Sequence, residues 1–289
     1  MTAYALPVLA TLLLWWFSTG LILFLDGLPR RTFPWSMAAA TAIGCAALYG
    51  LAATSGDATV SGAYIAFISA ILVWGWHELA FLTGLVTGPR QTPCPPGAAG
   101  WRRFGYAVET LLFHELAILV TALLVVALTR DGVNQVGAWT FLLLWLMRLS
   151  AKLNLFLGVP NLAAEFLPDH LRYLRSYQTR KGMNFLFPAS ITISVVVLTV
   201  LVQRAAAPEA GPFEVVGFTL LATLTALAVL EHWFLVLPFP VEALWRWGFR
   251  SRDAGPVPPG LPLEPARRSR ALVLESLGPN QAALPRRRS

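Results

Sequence analysis

The sequence predicts an all-α, polytopic membrane bundle of about seven transmembrane helices, on three observations. Hydrophobic residues make up 56% of the 289 positions and charged residues only 13%, with 11 tryptophans; a soluble globular domain carries roughly a quarter charged residues. Several apolar runs reach the ~20 residues that a helix needs to cross a bilayer. The basic residues recur in alternate links between those runs instead of forming one patch, which is how a multi-pass chain records its orientation. The formal net charge of +7 therefore speaks for membrane topology and contact with anionic lipid, and against nucleic acid as a partner.

The first span covers about 4–25; it lacks a basic leader and a small-residue cleavage site, so it reads as a retained helix. Arg30 and Arg31 follow it, then a span over about 35–54 and a link holding only Asp57. The third span, about 59–86, leads to Arg90, Arg102 and Arg103; the fourth, about 104–128, leads to Arg130 beside Asp131. The fifth, about 135–157, opens the long link 158–184 with Arg172, Arg175, Arg180 and Lys181. Spans over about 185–203 and 213–237 are separated by Arg204 and Glu209, and nine arginines follow Pro238. Four basic links on one side predict a periplasmic N-terminus and a cytoplasmic C-terminus in a bacterial cytoplasmic membrane.

Residues 1–250 thus form the integral-membrane domain. Residues 251–289, rich in Pro and Arg, read as a disordered cytoplasmic tail with a short helix near 265–277, held to the inner leaflet by charge. In the long link, Ala163–Tyr177 has the pattern of an amphipathic interfacial helix. Cys45 lies in an apolar run and Cys94 in a Pro/Gly loop, at different depths, so no disulfide or Cys-type metal site is expected.

Polar residues inside the spans carry the functional question. Two stretches, Trp76–Leu82 and Phe113–Leu119, share the core His-Glu-Leu-Ala, and all four histidines (His77, His114, His170, His232) have a carboxylate next door in Glu78, Glu115, Asp169 and Glu231. At a helical rise of ~1.5 Å per residue, His77 and Arg148 lie about 14 Å, and His114 about 15 Å, from the cytoplasmic ends of their spans. Lys152 and His232 follow at about 8 Å. Glu109, Asn154 and Glu231 fall in the same layer, whereas the periplasmic half is almost free of ionisable residues. Charges at that depth cost on the order of 2.5–3.5 kcal/mol facing lipid, so they should face one another.

Arg148 and Lys152 share a helix face at i and i+4 and are the expected counter-ions for Glu78, Glu109 or Glu115, or the receivers of a tetrapyrrole propionate. Three roles suit such a layer. One is an ion-pair and hydrogen-bond network that joins helices. The second is a ligand site, in which His77, His114 and His232 bind a transition metal or the central metal of a tetrapyrrole, with Glu78, Glu115 and Glu231 tuning them. The third is a proton or ion path through Glu115 and Glu231. No Glu-x-x-His or His-Glu-x-x-His occurs, so the helical di-iron and zinc-protease spacings are absent. Nor is there a Ser-His-Asp arrangement, a phosphate loop or a dinucleotide fingerprint.

Longer motifs carry a resemblance. Trp15-Trp16-Phe17-Ser18-Thr19-Gly20, Leu25–Thr32, Val86–Arg90 with Cys94-Pro95-Pro96-Gly97, Arg148–Asn154 through Asn161-Leu162, Glu165–Leu174 and Leu230–Phe234 resemble PuhE-type photosynthetic complex assembly proteins, over roughly residues 4–250. The resemblance implies a cytoplasmic-membrane protein of a purple-type phototrophic bacterium. It implies a role in reaction-centre and core light-harvesting assembly and in bacteriochlorophyll supply, with pigment and those subunits as partners. It brings no established site residues. In that setting the segment with Glu165, Asp169, His170 and Arg172 is expected to be the cytoplasmic lid or partner-docking surface. A membrane metalloenzyme acting on a tetrapyrrole or other lipid-soluble substrate is the alternative; a transporter is less favoured, because its usual Gly/Pro-broken inverted repeats are missing.

Overall fold

Every apolar run expected to cross the bilayer is helical, and local chemistry sets where each helix starts and stops. The computed structural model describes residues 2–162 and 166–253. Helices α1 (Thr2–Asp26), α2 (Phe33–Thr54) and α3 (Val60–Leu82) are followed by a short α4 (Gly100–Glu109) and by α5 (Leu112–Thr129). Then come α6 (Val136–Leu157), α7 (Leu186–Ala205), α8 (Pro212–Phe234) and a single turn, α9 (Arg250–Asp253). Seven of these, all but α4 and α9, are long and apolar enough to span a membrane. The chain is a polytopic, all-helical membrane bundle, with no β-strand beyond one isolated bridge, Val159 to Arg180, among the described residues.

Caps explain several ends. Thr59 accepts from Gly62 N–H at 3.1 Å to start α3, Glu214 accepts from Gly211 N–H at 2.9 Å to start α8, and Asn184 Oδ1 accepts from Leu186 and Phe187 N–H to start α7. Gly84 (φ 79°) ends α3 and Gly158 (φ 125°) ends α6 in conformations that a side chain would strain. Small residues Ala63, Ala66 and Ala70 on α3 let neighbours approach. They pack with fully buried Leu51, Phe67, Ile118, Phe141 and Leu220 into one apolar core. That core fills the half of the bundle remote from the basic links.

Two expectations are corrected. The single span over about 104–128 is two helices, because Thr110 and Leu111 break it. The cause is tertiary: Thr87 O accepts from His114 N–H at 2.8 Å, which occupies an amide at the start of α5 that has no partner within the helix. Gly88 lies so close to this junction that a Cβ would stand 2.0 Å from Glu109 O. Likewise the third span stops at Leu82, and residues 83–99 return over the basic end.

The second correction concerns the C-terminal boundary. Glu231 lies at the height of Trp15, so α8, ending three residues later, stops about 12 Å before the end of α1 at ~1.5 Å per residue. The following segment completes the descent along α1. Trp245 packs edge-on against Trp15 at 5.0 Å and donates to Trp16 O, while Trp16 donates to Leu244 O. Trp247 lies against Phe17 and covers Gly20, where a Cβ would be 2.1 Å from its ring. Arg252 then clasps Asp26, whose side chain is fully buried, at 2.8 and 3.1 Å, and donates to Phe166 O. The first residues of the expected tail thus belong to the membrane domain; 254–289, with the helix expected near 265–277, lie outside the described residues.

Candidate functional site

The intramembrane charges do pair across helices. Arg148 on α6 donates to Glu78 Oε2 on α3 at 3.0 Å, and Lys152, one turn on, donates to Glu115 Oε1 on α5 at 2.7 Å. Trp145 donates to the other Glu115 oxygen at 3.0 Å, and Trp15 on α1 donates to Glu231 on α8 at 2.6 Å. Five helices are joined by these bonds, as the i, i+4 spacing of Arg148 and Lys152 implies for the two ion pairs. Glu109, grouped with this layer on sequence, instead sits on α4 and pairs with Arg90 at 2.7 Å.

The histidines divide into two kinds. His232 is satisfied: its Nδ1 faces Ala228 O at 2.9 Å and therefore carries the proton, and its Nε2 meets the Ser150 hydroxyl at 2.9 Å. Ser190 and Asn154 continue this polar junction between α6, α7 and α8. His77 is half satisfied, with Nε2 at 3.0 Å from Thr121 and Nδ1 buried without a partner. Among the described residues His114, 1% exposed, has no partner on either ring nitrogen, and Glu78 Oε1 is also buried and unpaired. An unmet buried polar atom typically costs about 1–3 kcal/mol; four such atoms lie in this layer, and others lie outside it on Tyr64, His170, Tyr173, Gln178 and Trp247.

His77 and His114 do not share one height, as equal distances from the span ends suggest. His77 faces Thr121, two turns beyond His114 on α5, whereas His114 stacks on Phe81 with ring centroids 4.7 Å apart. The offset is about 6–10 Å along the bundle. It arises because α3 and α5 both end closer to the layer than the apolar runs imply. Nor is the three-histidine metal set assembled: His232 is committed to Ser150 and Ala228. Among the described residues no group of three or more His, Cys, Asp or Glu side chains is arranged to hold a metal ion.

Access differs on the two sides of the layer. Arg148 lies deep among the helices, yet its side chain is 45% exposed, and Glu231 is exposed as well. Arg148 engages Glu78 through one nitrogen, so further N–H groups remain on its half-exposed side chain within the span. Towards the basic end His114 is sealed. Phe81 and Leu82 pack with Leu171 and Leu174 from the 3-10 segment Asp169–Tyr177, flanked by Ile22 and Leu111. This part of the long link is a 3-10 segment, Asp169–Tyr177, in place of the expected amphipathic helix, and it packs over the basic end of α3.

Within that segment Asp169 and Arg172 are exposed and paired at 2.6 Å. His170, expected as part of a docking surface, lies against Gly84 and Phe33. Glu165 lies outside the described residues. Burial, and then the nearby Arg30 guanidinium, hold the His170 imidazole below its ordinary range, with the Leu82 carbonyl and Asp169 pulling the other way and Arg252 adding to the depression. The unfolded chain then binds a proton that the folded segment resists, so stability is complete above the ordinary imidazole value and declines as pH falls below it. The melting temperature of the purified chain should fall between about pH 7.5 and 5.5, and His170→Gln should flatten that slope. An equal slope in both proteins would remove His170 from the account.

Sequence reasoning missed the partners Trp15, Trp145, Thr121 and Ser150, and also the clasp of Arg252 on Asp26. The only sequence signal for the clasp was an acid at the end of a span whose nearest cations, Arg30 and Arg31, lie past a Gly-Leu-Pro turn.

Comparison with known proteins gives the family. Residues 1–255 match the family described as "Protein of unknown function (DUF3623)", and this chain belongs to it. It is also 44% identical over 269 residues to the "Uncharacterized 30.4 kDa protein in puhA 5'region" of Rhodobacter capsulatus, covering 89% of this chain and 97% of that protein. No solved structure matches.

Proposed function

We propose, from membership of the DUF3623 family and from the site above, that this chain is a PuhE-type integral-membrane assembly factor for the photosynthetic reaction centre and core light-harvesting complex. It resides in the cytoplasmic membrane of a phototrophic bacterium, with the basic links and C-terminus in the cytoplasm. The 44% identical relative is named for the region upstream of puhA, a reaction-centre gene. The observation that carries the site reading is the set of buried, unpartnered ring nitrogens on His77 and His114.

A bacteriochlorophyll-type tetrapyrrole would supply a central metal that a neutral imidazole nitrogen can hold. His77 would hold it: Thr121 engages one ring nitrogen, which sets the ring, and Nδ1 is left unpartnered. His114 offers two free nitrogens, and Arg148 presents N–H groups suited to an acidic substituent. Phe81, Leu82, Leu171 and Leu174 cover the basic end of this layer, so an arriving pigment or pigment-bearing helix would approach from the side on which Arg148 and Glu231 are exposed. The strain to test is one carrying His77→Leu or His114→Leu, with photosynthetic-complex yield measured at matched abundance of the chain in the membrane. Yield should drop in both; undiminished yield in both would remove the site assignment.

A further inference from the structure

A second polar feature lies outside this layer, at the basic end of α6. A cleft of about 220 Å³ is lined by Gly100, Arg103, Phe156, Leu157, Thr179 and Lys181. Two of its six lining residues are cations and none is an acid. Elsewhere at this end Arg90, Arg172 and Arg252 each have a carboxylate, on Glu109, Asp169 and Asp26.

Arg103 is held in place by its side chain, and the exposed Lys181 by its backbone and stem. Arg103 Nη2 donates to Tyr177 O at 2.7 Å and to Thr179 Oγ1 at 2.9 Å, and its guanidinium lies 4.6 Å over the Phe156 ring. Its remaining N–H groups are thus oriented by a fixed fork. The Lys181 backbone is set by its bond to Val159 O and by the bridge between Val159 and Arg180. Its stem lies on Gly158, where a Cβ would come within 2.8 Å of the Lys181 side chain. The ammonium has no acidic partner among the described residues.

The surroundings give the depth. Trp101 is 86% exposed and Phe185 98% exposed, on either side of the ends of α6 and α7. Large aromatic side chains bared at span ends are what the headgroup level of a bilayer covers. A fixed guanidinium and a neighbouring ammonium beside an apolar wall, at that level, match a phosphate joined to acyl chains.

We propose that this cleft binds a phosphate group at the membrane surface, either the headgroup phosphate of an anionic lipid or a free phosphate. Arg103 and Lys181 contact the oxygens, and Phe156 and Leu157 contact the adjoining apolar part. The two sources differ in whether that apolar wall is used.

The test is native mass spectrometry of the detergent-solubilised full chain titrated with phosphatidylglycerol, with phosphatidylcholine as the zwitterionic reference. Wild type should hold one phosphatidylglycerol in preference to phosphatidylcholine. Lys181→Gln should weaken that binding about fivefold, the worth of one cation near an anionic surface, and Lys181→Arg should retain it. Phosphatidylglycerol that resists millimolar inorganic phosphate identifies the lipid as the source; displacement identifies free phosphate. Equal binding of the two lipids, or a Lys181→Gln protein that binds like wild type with the same melting temperature, would overturn the proposal.

Discussion

Glu115→Leu should unfold the membrane domain more readily than other single changes in the polar layer. The substitution leaves the Lys152 ammonium and the Trp145 indole N–H, both now bonded to Glu115, without an acceptor in a largely buried setting. Removing one partner of a buried pair costs about 3–5 kcal/mol, mostly because the surviving charge is stranded. Thermal unfolding of the solubilised protein reports it as a fall of roughly 2–4 °C per kcal/mol for a domain of this size. Adding Lys152→Met should recover most of the loss, since a hydrophobic pair of similar volume is about as stable as a buried ion pair. If Glu115→Leu and the double variant melt alike, Lys152 does not depend on Glu115.

The second expected result contrasts two buried histidines of equal sequence character. His232→Leu should destabilise by about 1–3 kcal/mol, because Ser150 and Ala228 O lose a partner. His114→Leu should leave the melting temperature unchanged or raise it, because the two ring nitrogens make no bond that could be lost. A buried group that the fold would be more stable without is the signature expected of a site kept for a ligand. A melting loss in His114→Leu equal to that in His232→Leu would return His114 to the ordinary structural residues.

Much of the bundle was legible because a bilayer imposes one strong rule: about 20 apolar residues per helix, with cations gathered at alternate ends. The pairing of Arg148 and Lys152 with Glu78 and Glu115 was legible for a related reason, since charges in hydrocarbon have few partners to choose from. Three features followed no such rule. The break at Thr110–Leu111 is made by Thr87 and Gly88, more than 20 positions upstream, and no local propensity announces it. The heights of His77 and His114 depended on helix ends that extended beyond the true ones at both Leu82 and Leu112. The return of residues 241–253 along α1 replaces a regular span with 3-10 turns and indole packing, so its apolar residues lack the length that marks a span. Which histidine is satisfied was also invisible, because Thr121 and Ser150 are ordinary residues of an apolar helix until the helices meet.

One measurement bears most directly on the central claim, that the unpartnered imidazoles serve photosynthetic-complex assembly through a pigment. The chain is purified in detergent from a phototrophic host, as wild type and as His114→Leu. Its absorption spectrum is recorded together with the yield of assembled complexes in the same membranes. The account predicts a tetrapyrrole band with the wild type, a band and a complex yield both reduced in the variant, and equal abundance of the two proteins. A wild-type spectrum without pigment, together with full complex yield in the variant, would contradict it.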